Sequence, residues 1–342
     1  MTTDDERREE LATTIKDLAK KAGVSTATVS RVLNNLGGYS PEVEERILNL
    51  AKELHYIRND SAKNLVKQFT QTVGVIMPVT ATSYYGKIVK GIEDYAVEKE
   101  YCVFISHAGV DGNRLEETLQ TMVERRVSGI IIFSIYLSAE QVNYIHSLGV
   151  PVVLLSTIDE QQQLPYLKVD DYTASYAAVD YLIKMNHRRI AIVGANSQDK
   201  VAGLPRIQGY KDALASAKIA ENADWIHAGD FTFDSGRRAV DHFIQNGIEL
   251  PTAFFCVSDE VALGVMSACH KYGIPVPDEV SVIGYDNSDI ASMSIPALTT
   301  VHQPFYDMGY QGCKLLIDYR KEKASKLMPY QIIERLSVKK IE

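Results

Sequence analysis

Cysteine is scarce. There are four in 342 residues, Cys102, Cys256, Cys269 and Cys313, and no Cys-x-x-Cys pair. Such scatter predicts reduced, mostly buried thiols and argues against a disulfide framework or a zinc ribbon. No uncharged apolar run reaches the roughly 18 residues that a membrane span requires. The start of the chain, Met1 to Glu10, has no apolar stretch of the secretory kind, so a cytoplasmic protein with no membrane partner is expected. The fingerprints of common enzymes are missing too. Gly194-Ala195-Asn196 lacks the further glycines that let backbone approach a pyrophosphate, and neither Gly-x-x-x-x-Gly-Lys-Ser/Thr nor Gly-x-Ser-x-Gly occurs. The eight histidines never pair at metal-ligand spacing around an acid. No catalytic residue, metal or cofactor is therefore expected, and the chain reads as a binding protein rather than an enzyme.

What is present is unevenly spread. The net charge is −8, which alone would argue against a polyanionic partner. Residues 14–69 nevertheless hold nine Lys/Arg against six acids, while residues 1–13 hold two arginines and five acids. A small basic module attached to a large acidic one suits a nucleic-acid reader carried by a soluble body. The same counts also fit a chance fluctuation of solvated charge.

The basic module reads as three short helices. Thr14 can cap the first, with Asp17 in the place of a capping-box acid, and Gly23 ends it. Ser25 can cap a second helix, residues 26–33, in which Val29, Val32 and Leu33 form one buried stripe. Ser40-Pro41-Glu42 opens a third, with Val43, Ile47, Leu50, Ala51 and Leu54 as its stripe. Two helices around Ala22-Gly23-Val24-Ser25 describe a helix-turn-helix, although a protein-interaction module has the same periodicity. The run from Thr14 through Lys16-Asp17-Leu18-Ala19 and Ser25-Thr26-Ala27-Thr28-Val29-Ser30-Arg31-Val32-Leu33 to Asn34 strongly resembles the DNA-binding signature of the LacI/GalR family of transcription regulators. That resemblance implies that Thr26 and Ala27 read base edges and that Arg31 also faces the groove. A guanidinium can fork to guanine O6/N7, and the methyls of Thr26 and Ala27 can meet thymine methyls. Ser25, Thr28 and Ser30 suit phosphate contacts, which position a helix without reading sequence.

Residues 57–67 resemble the family's hinge, usually Tyr-x-Pro-Asn-x-x-Ala-Arg-x-Leu, with Arg58 in place of the proline and Lys63 in place of the arginine. The first change removes a rigid stop, and the second keeps the charge without the fork. The resemblance implies that Asn59 and Lys63 contact DNA and that Leu65 wedges into the central minor groove. On its own Leu65 reads equally as an ordinary linker residue.

From Thr72 the pattern alternates. Apolar runs at 73–77, 102–106, 129–133, 152–155, 190–193, 254–257 and 280–283 are separated by helical stretches. Such alternation predicts α/β architecture with parallel sheets covered on both faces, and too many strands for one ordinary sheet. The resemblance implies the two-subdomain fold of the periplasmic-binding-protein type I class. The expected organisation is a polar tail (1–13), the helix-turn-helix domain (14–60), a hinge (61–71) and an effector and dimerisation core (72–342). Within the core, crossings near 168, 299 and 329 give an N-subdomain of 72–168 and 300–328 and a C-subdomain of 169–299 and 329–342.

Ligands in open α/β sheets sit at the carboxyl ends of strands. That rule nominates residues 80–85, Ser156, the segment from Asp199 to Arg206, Ser258, Asp259 and Asp286. Carboxylates and a guanidinium suit paired hydroxyls, and aromatic faces suit the apolar side of a sugar ring. By resemblance, Pro205-Arg206-Ile207-Gln208-Gly209-Tyr210 places a ligand-binding Arg206. Ile283-Gly284-Tyr285-Asp286 likewise places a sugar-binding Asp286, while Phe231 and Phe305 supply aromatic covers. Tyr84 and Tyr85 occupy a loop where the family usually has Asn-Pro-Phe. Lys200 aligns with a residue used against charged effectors, and Asp259 with a common motif in which it can also simply cap a helix.

The expected partners are palindromic operator DNA, a small carbohydrate or carbohydrate phosphate, and a second copy of the chain. One helix-turn-helix reads only a half-site, and no leucine heptads follow Lys339-Lys340-Ile341-Glu342, so a homodimer is expected. An alternative comes from the catabolite-control branch of the family, whose corepressor is a phosphorylated phosphocarrier protein. The stretch from Asp286 to Gly309 resembles that branch, while Tyr310-Gln311-Gly312-Cys313 departs from it. A sugar-binding protein without DNA function is the alternative of another class.

Overall fold

The computed structural model describes residues 13–54, 56, 70–78, 84–318 and 325–342, and it divides into two units, 1–68 and 69–342. The first unit holds α1 (Ile15–Ala22), α2 (Thr26–Leu33) and α3 (Pro41–Glu53). Each starts as its sequence predicts. The Thr14 and Asp17 side chains exchange hydrogen bonds with each other's backbone N–H, closing a capping box. The Ser25 hydroxyl accepts from Thr28 N–H at 3.1 Å, and Ser40 caps Val43 ahead of Pro41. Gly23 ends α1 at φ +65°, a left-handed turn open to glycine at little cost. Leu18, Ala19, Ala22, Val29, Val32 and Ile47 close the core of this unit.

The second unit contains two six-stranded sheets. The first has β1 (Thr72–Met77), β2 (Cys102–His107), β3 (Gly129–Phe133), β4 (Val152–Leu155), β5 (Tyr166–Val169) and a late strand, β11 (Lys326–Met328), in the order β11-β5-β4-β3-β1-β2. The second has β6 (Ile190–Ala195), β7 (Ile226–Ala228), β8 (Ala253–Cys256), β9 (Ser281–Asp286), β10 (Thr299–His302) and β12 (Gln331–Ile333), in the order β12-β10-β9-β8-β6-β7. Among the described residues every strand pairing is parallel except β10 with β12. Each sheet repeats one topology and borrows its edge strand from the end of the chain. The inner strands β3, β4, β6, β8 and β9 are buried because helices cover both faces, whereas the edge strands β2, β7, β11 and β12 are largely exposed or half-buried.

The crossings differ from the expected ones by a few residues. Val169 pairs with Met328 in the first sheet, so the chain leaves that lobe after Val169 rather than at 168. Thr299–His302 pairs with β9, so the return follows His302 rather than 299. Ladder hydrogen bonds decide these positions, and the short polar strand at 299–302 shows no apolar signature.

The remaining helices are α4 (Tyr85–Glu98), α5 (Leu115–Glu124), α6 (Ala139–Ser147), α7 (Asp171–Lys184), α8 (Gly203–Ser216), α9 (Phe233–Gln245), α10 (Asp259–Lys271), α11 (Asp289–Met293) and α12 (Phe305–Ile317). Each lobe contains one pair of helices whose backbones meet through reciprocal glycines. In the first lobe a Cβ on Gly91 of α4 would lie 2.1 Å from the Tyr306 carbonyl, and one on Gly309 of α12 would lie 2.1 Å from that of Ile88. In the second lobe Gly236 of α9 faces the Val261 carbonyl and Gly264 of α10 faces that of Phe233, at 2.0 and 1.9 Å. Among the described residues no helix is long and apolar enough to cross a membrane.

Candidate DNA-reading helix and effector cleft

In the first unit Thr26 and Ala27 are exposed on the opening turn of α2, as a groove-reading role requires. The Ser25 and Thr28 hydroxyls lie 2.9 Å apart and share one hydrogen bond. Ser30 is half-buried, and its carbonyl accepts from Asn34 at 2.7 Å. Arg31 is exposed but folded back, its Nε donating to the Gly37 carbonyl at 2.9 Å. Asn59, Lys63 and Leu65 lie outside the described residues.

In the second unit a cleft of about 550 Å3, open mouth included, lies where the strands of both sheets end. Tyr84, Ser134, Ser156, Asp199, Ala202, Arg206, Phe231, Ser258, Glu260, Asp286 and Gln303 line it. Ser134 follows β3, Ser156 follows β4, Asp286 ends β9 and Gln303 follows β10, as the strand-end rule requires. Four of these residues hold left-handed backbone: Ser134, Ser156, Phe231 and Asp286, with φ of 50°, 53°, 63° and 119°. Such backbone costs an L-residue roughly 1–2 kcal/mol, and the surrounding contacts must hold it. The Ser258 hydroxyl, for example, donates to the Phe231 carbonyl at 2.9 Å.

Arg206 organises the second lobe's side of the cleft. Its side chain is 7% exposed and donates to Asp171 Oδ1 from Nε at 2.8 Å and from Nη2 at 2.7 Å. Nη1 donates to the Val257 carbonyl. The guanidinium lies 3.7 Å from the Tyr285 ring centroid and 5.7 Å from that of Phe231. Of its five N–H bonds these contacts use three, leaving one on each Nη for a ligand. Asp171 Oδ2 is held by Lys168 Nζ at 2.8 Å, and Lys168 also reaches the Val201 carbonyl at 3.2 Å. Burial raises the Asp171 pKa, but Arg206 and then Lys168 outweigh it and hold the carboxyl below its usual range. Arg206 moves the other way: burial lowers its pKa, and Asp171, Tyr285 and Asp286 together push it above the ordinary value. Asp286 accepts from Gln303 at 2.8 Å, and burial drives its pKa up against the pull of Arg206.

Four expected ligand residues stand elsewhere. Lys200 points away from the cleft lining to Glu160 at 3.4 Å and the Tyr136 hydroxyl at 3.2 Å, because those groups offer it charge and a ring face. Phe305 is buried behind Tyr84, stacked on it with centroids 4.4 Å apart, so it supports the lining instead of forming it. Tyr85 packs edge-on against Phe133 at 4.9 Å. Asp259 neither lines the cleft nor caps α10, since Ser258 is the cap. Its carboxylate accepts from Ser288 N–H and hydroxyl, both at 2.7 Å, and from Thr300 at 2.5 Å. Burial raises its pKa to about 6, with Thr300 and Ser288 opposing.

Conversely, Ser134, Glu260 and Gln303 line the cleft without having been singled out. The strand-end rule that found Ser156 also finds Ser134. Gln303 was hidden because the strand before it, Thr299–His302, is short and polar. Among the described residues no group of three His, Cys, Asp or Glu is placed to hold a metal.

A model of bacterial regulatory proteins of the lacI family matches residues 14–59, and one of the periplasmic binding protein-like domain matches residues 179–338. Catabolite control protein A of Priestia megaterium is 35% identical over 310 residues, 91% of this chain and 93% of that one. The crystal structure of the lac repressor dimer bound to operator and the anti-inducer ONPF has a TM-score of 0.84 at 27% identity, covering 96% of this chain and 99% of that one. A complex of the transcriptional regulator CelR with cellobiose has a TM-score of 0.72 at 29% identity, covering 95% and 99%. The chain belongs to the lacI family of bacterial regulatory proteins, DNA-binding transcriptional repressors that small-molecule effectors control.

Proposed function

We propose that this regulator acts in the cytoplasm as a homodimer on palindromic operators of carbohydrate-utilisation genes, and that a small carbohydrate in the cleft sets its DNA affinity. The observation that carries the effector reading is Arg206, buried and aimed by Asp171 with two N–H bonds unspent beside Phe231 and Asp286. Fixed donors, a carboxyl acceptor and aromatic faces together match a ring bearing hydroxyls. Thr26, Ala27 and Arg31 would read bases, with Ser25, Thr28 and Ser30 positioning the helix on phosphates. Asn59, Lys63 and Leu65 keep the hinge roles given above. A two-fold dimer would supply the second half-site. Control requires the effector to favour one arrangement of the two lobes over another, since equal affinity shifts nothing.

A phosphorylated phosphocarrier protein is the weaker reading. Tyr306, in the stretch resembling the catabolite-control branch, donates to Asp94, and Tyr310, where that resemblance breaks, donates to Glu98, so this helix pair presents acids to an incoming phosphate. Selection of bound duplexes from a random pool, repeated with glucose, maltose, cellobiose and ribose, tests the proposal. Enrichment of a palindrome whose affinity one sugar changes is expected. No enriched site, or a site indifferent to every sugar, overturns it.

A further inference from the structure

The loop that follows α2 turns back onto the one arginine of that helix. Asn35 is left-handed at φ 51°, its N–H donates to the Val32 carbonyl at 3.0 Å, and the Leu36 N–H donates to that of Arg31 at 2.9 Å. This nested pair closes the end of α2 and reverses the chain. Gly37 and Gly38 follow, both left-handed at φ 67° and 80°, where glycine has no Cβ to clash. The Tyr39 hydroxyl then donates to Asn35 Oδ1 at 3.2 Å and ties the loop's ends together. The reversal brings the Gly37 carbonyl to Arg31 Nε at 2.9 Å. It also lays the guanidinium against Gly38, where a Cβ would overlap Nη2 and stand 2.9 Å from Cζ. A Cβ on Gly37 would meet nothing within 4 Å. The two glycines share a backbone conformation, and Arg31 lies against Gly38.

We propose that Gly38 is a positioning residue for base readout: its bare Cα seats the Arg31 guanidinium, and the Gly37 carbonyl holds it there. The inference rests on the base-reading role given to Arg31 above and adds what fixes that side chain before DNA arrives. The tether uses one of the five N–H bonds of a guanidinium and leaves those of Nη1 and Nη2. One N–H from each Nη suffices for an end-on fork to guanine O6 and N7. A free arginine gives up rotamer freedom when it meets a base. A seated one has given up much of it already and offers its fork from one place. Any side chain at position 38 pushes the guanidinium off that seat, because the far end of a flexible side chain yields before backbone does.

Base discrimination by the full-length protein tests this, on the operator selected from the random pool. Each guanine of a half-site is replaced in turn by 7-deazaguanine, which lacks the N7 acceptor, and affinities are compared by fluorescence anisotropy. The wild type should lose about fivefold or more at one guanine, and Arg31→Ala should be indifferent to that replacement. Gly38→Ala should cut the penalty to about twofold or less, whereas Gly37→Ala should keep it. Both variants put alanine in left-handed backbone, so affinity lost to strain is common to the two. In the protein without DNA, NMR relaxation should show an ordered Arg31 Nε–H in the wild type and in Gly37→Ala, and a mobile one in Gly38→Ala. A full or larger penalty in Gly38→Ala overturns the inference, and so does an equal loss in Gly37→Ala, since strain alone would then account for it. An Nε–H as mobile in the wild type as in Gly38→Ala overturns it without any DNA. If Arg31→Ala keeps every wild-type penalty, the base-reading role of Arg31 falls first, and the inference with it.

Discussion

The two lobes repeat one strand order and one glycine-crossed helix pair, yet their strand ends carry different chemistry. The first lobe gives the cleft Tyr84, Ser134 and Ser156, all neutral. The second gives Asp199, Arg206, Glu260 and Asp286, with Phe231 beside them. One fold repeated twice has thus been divided between grip and closure: charge and fixed hydrogen bonds in the second lobe, an aromatic and two hydroxyls in the first. Affinity should fall mainly with second-lobe substitutions, and first-lobe ones should act on how well the cleft shuts.

The largest expected effect is that of Arg206→Ala. It leaves buried Asp171 with Lys168 and Tyr285 only, and breaking a buried pair costs roughly 3 kcal/mol. Denaturant unfolding should show that loss, and operator binding measured below the lowered melting temperature should persist without any effector response. Retained effector affinity would remove the second lobe's claim to grip. Next come Gly91→Ala and Gly264→Ala, one in each lobe, where a Cβ meets a backbone carbonyl. Each should cost about 1–3 kcal/mol of stability, and equal melting shifts would show that the lobes are structurally equivalent despite their unequal chemistry.

Asp259 gives a pH-dependent effect. A carboxyl whose pKa rises on folding from 3.8 to about 6 stabilises the fold most when protonated. Its contribution is complete below about pH 4, declines as pH rises, and is gone above about 6, a change of order 2–3 kcal/mol. Asp259→Asn cannot titrate, so its unfolding free energy should change less across that window than the wild type's; parallel pH curves would refute this. The smallest effect belongs to the first lobe. Tyr84→Ala removes a ring stacked on Phe305 and should weaken effector binding by about 1 kcal/mol, measured by titration. A loss matching that of Arg206→Ala would erase the division between the lobes.

Much of this was legible in the sequence, and unevenly so. Caps at Thr14, Ser25 and Ser40 could be read because capping is local chemistry, set by residues three apart. Long apolar strands could be read because burial on both faces leaves an apolar run. The strands at 166–169, 226–228, 299–302, 326–328 and 331–333 could not, since three or four residues with polar members show no period. Arg206 and Asp286 were found through their motifs, but Asp171 and Lys168, which aim and balance Arg206, were not. Their roles depend on contacts between segments far apart in the chain, as does the diversion of Lys200 to Glu160.

The crossing of α4 with α12 has a consequence for the order in which the protein is made. Gly91 waits for Gly309, more than two hundred residues downstream, whereas Gly236 and Gly264 lie less than thirty apart. When the ribosome has finished β1 to β5, the first lobe still lacks the helix that seals α4 and the strand, β11, that flanks β5. The second lobe closes its own helix crossing almost as soon as it emerges. Contacts so distant in sequence form slowly and leave apolar surface open in the interval. Both lobes wait for an edge strand from the end of the chain, but only the first also waits for a helix, and its apolar face, to which Ile88 and Ile92 belong, stays open until α12 emerges.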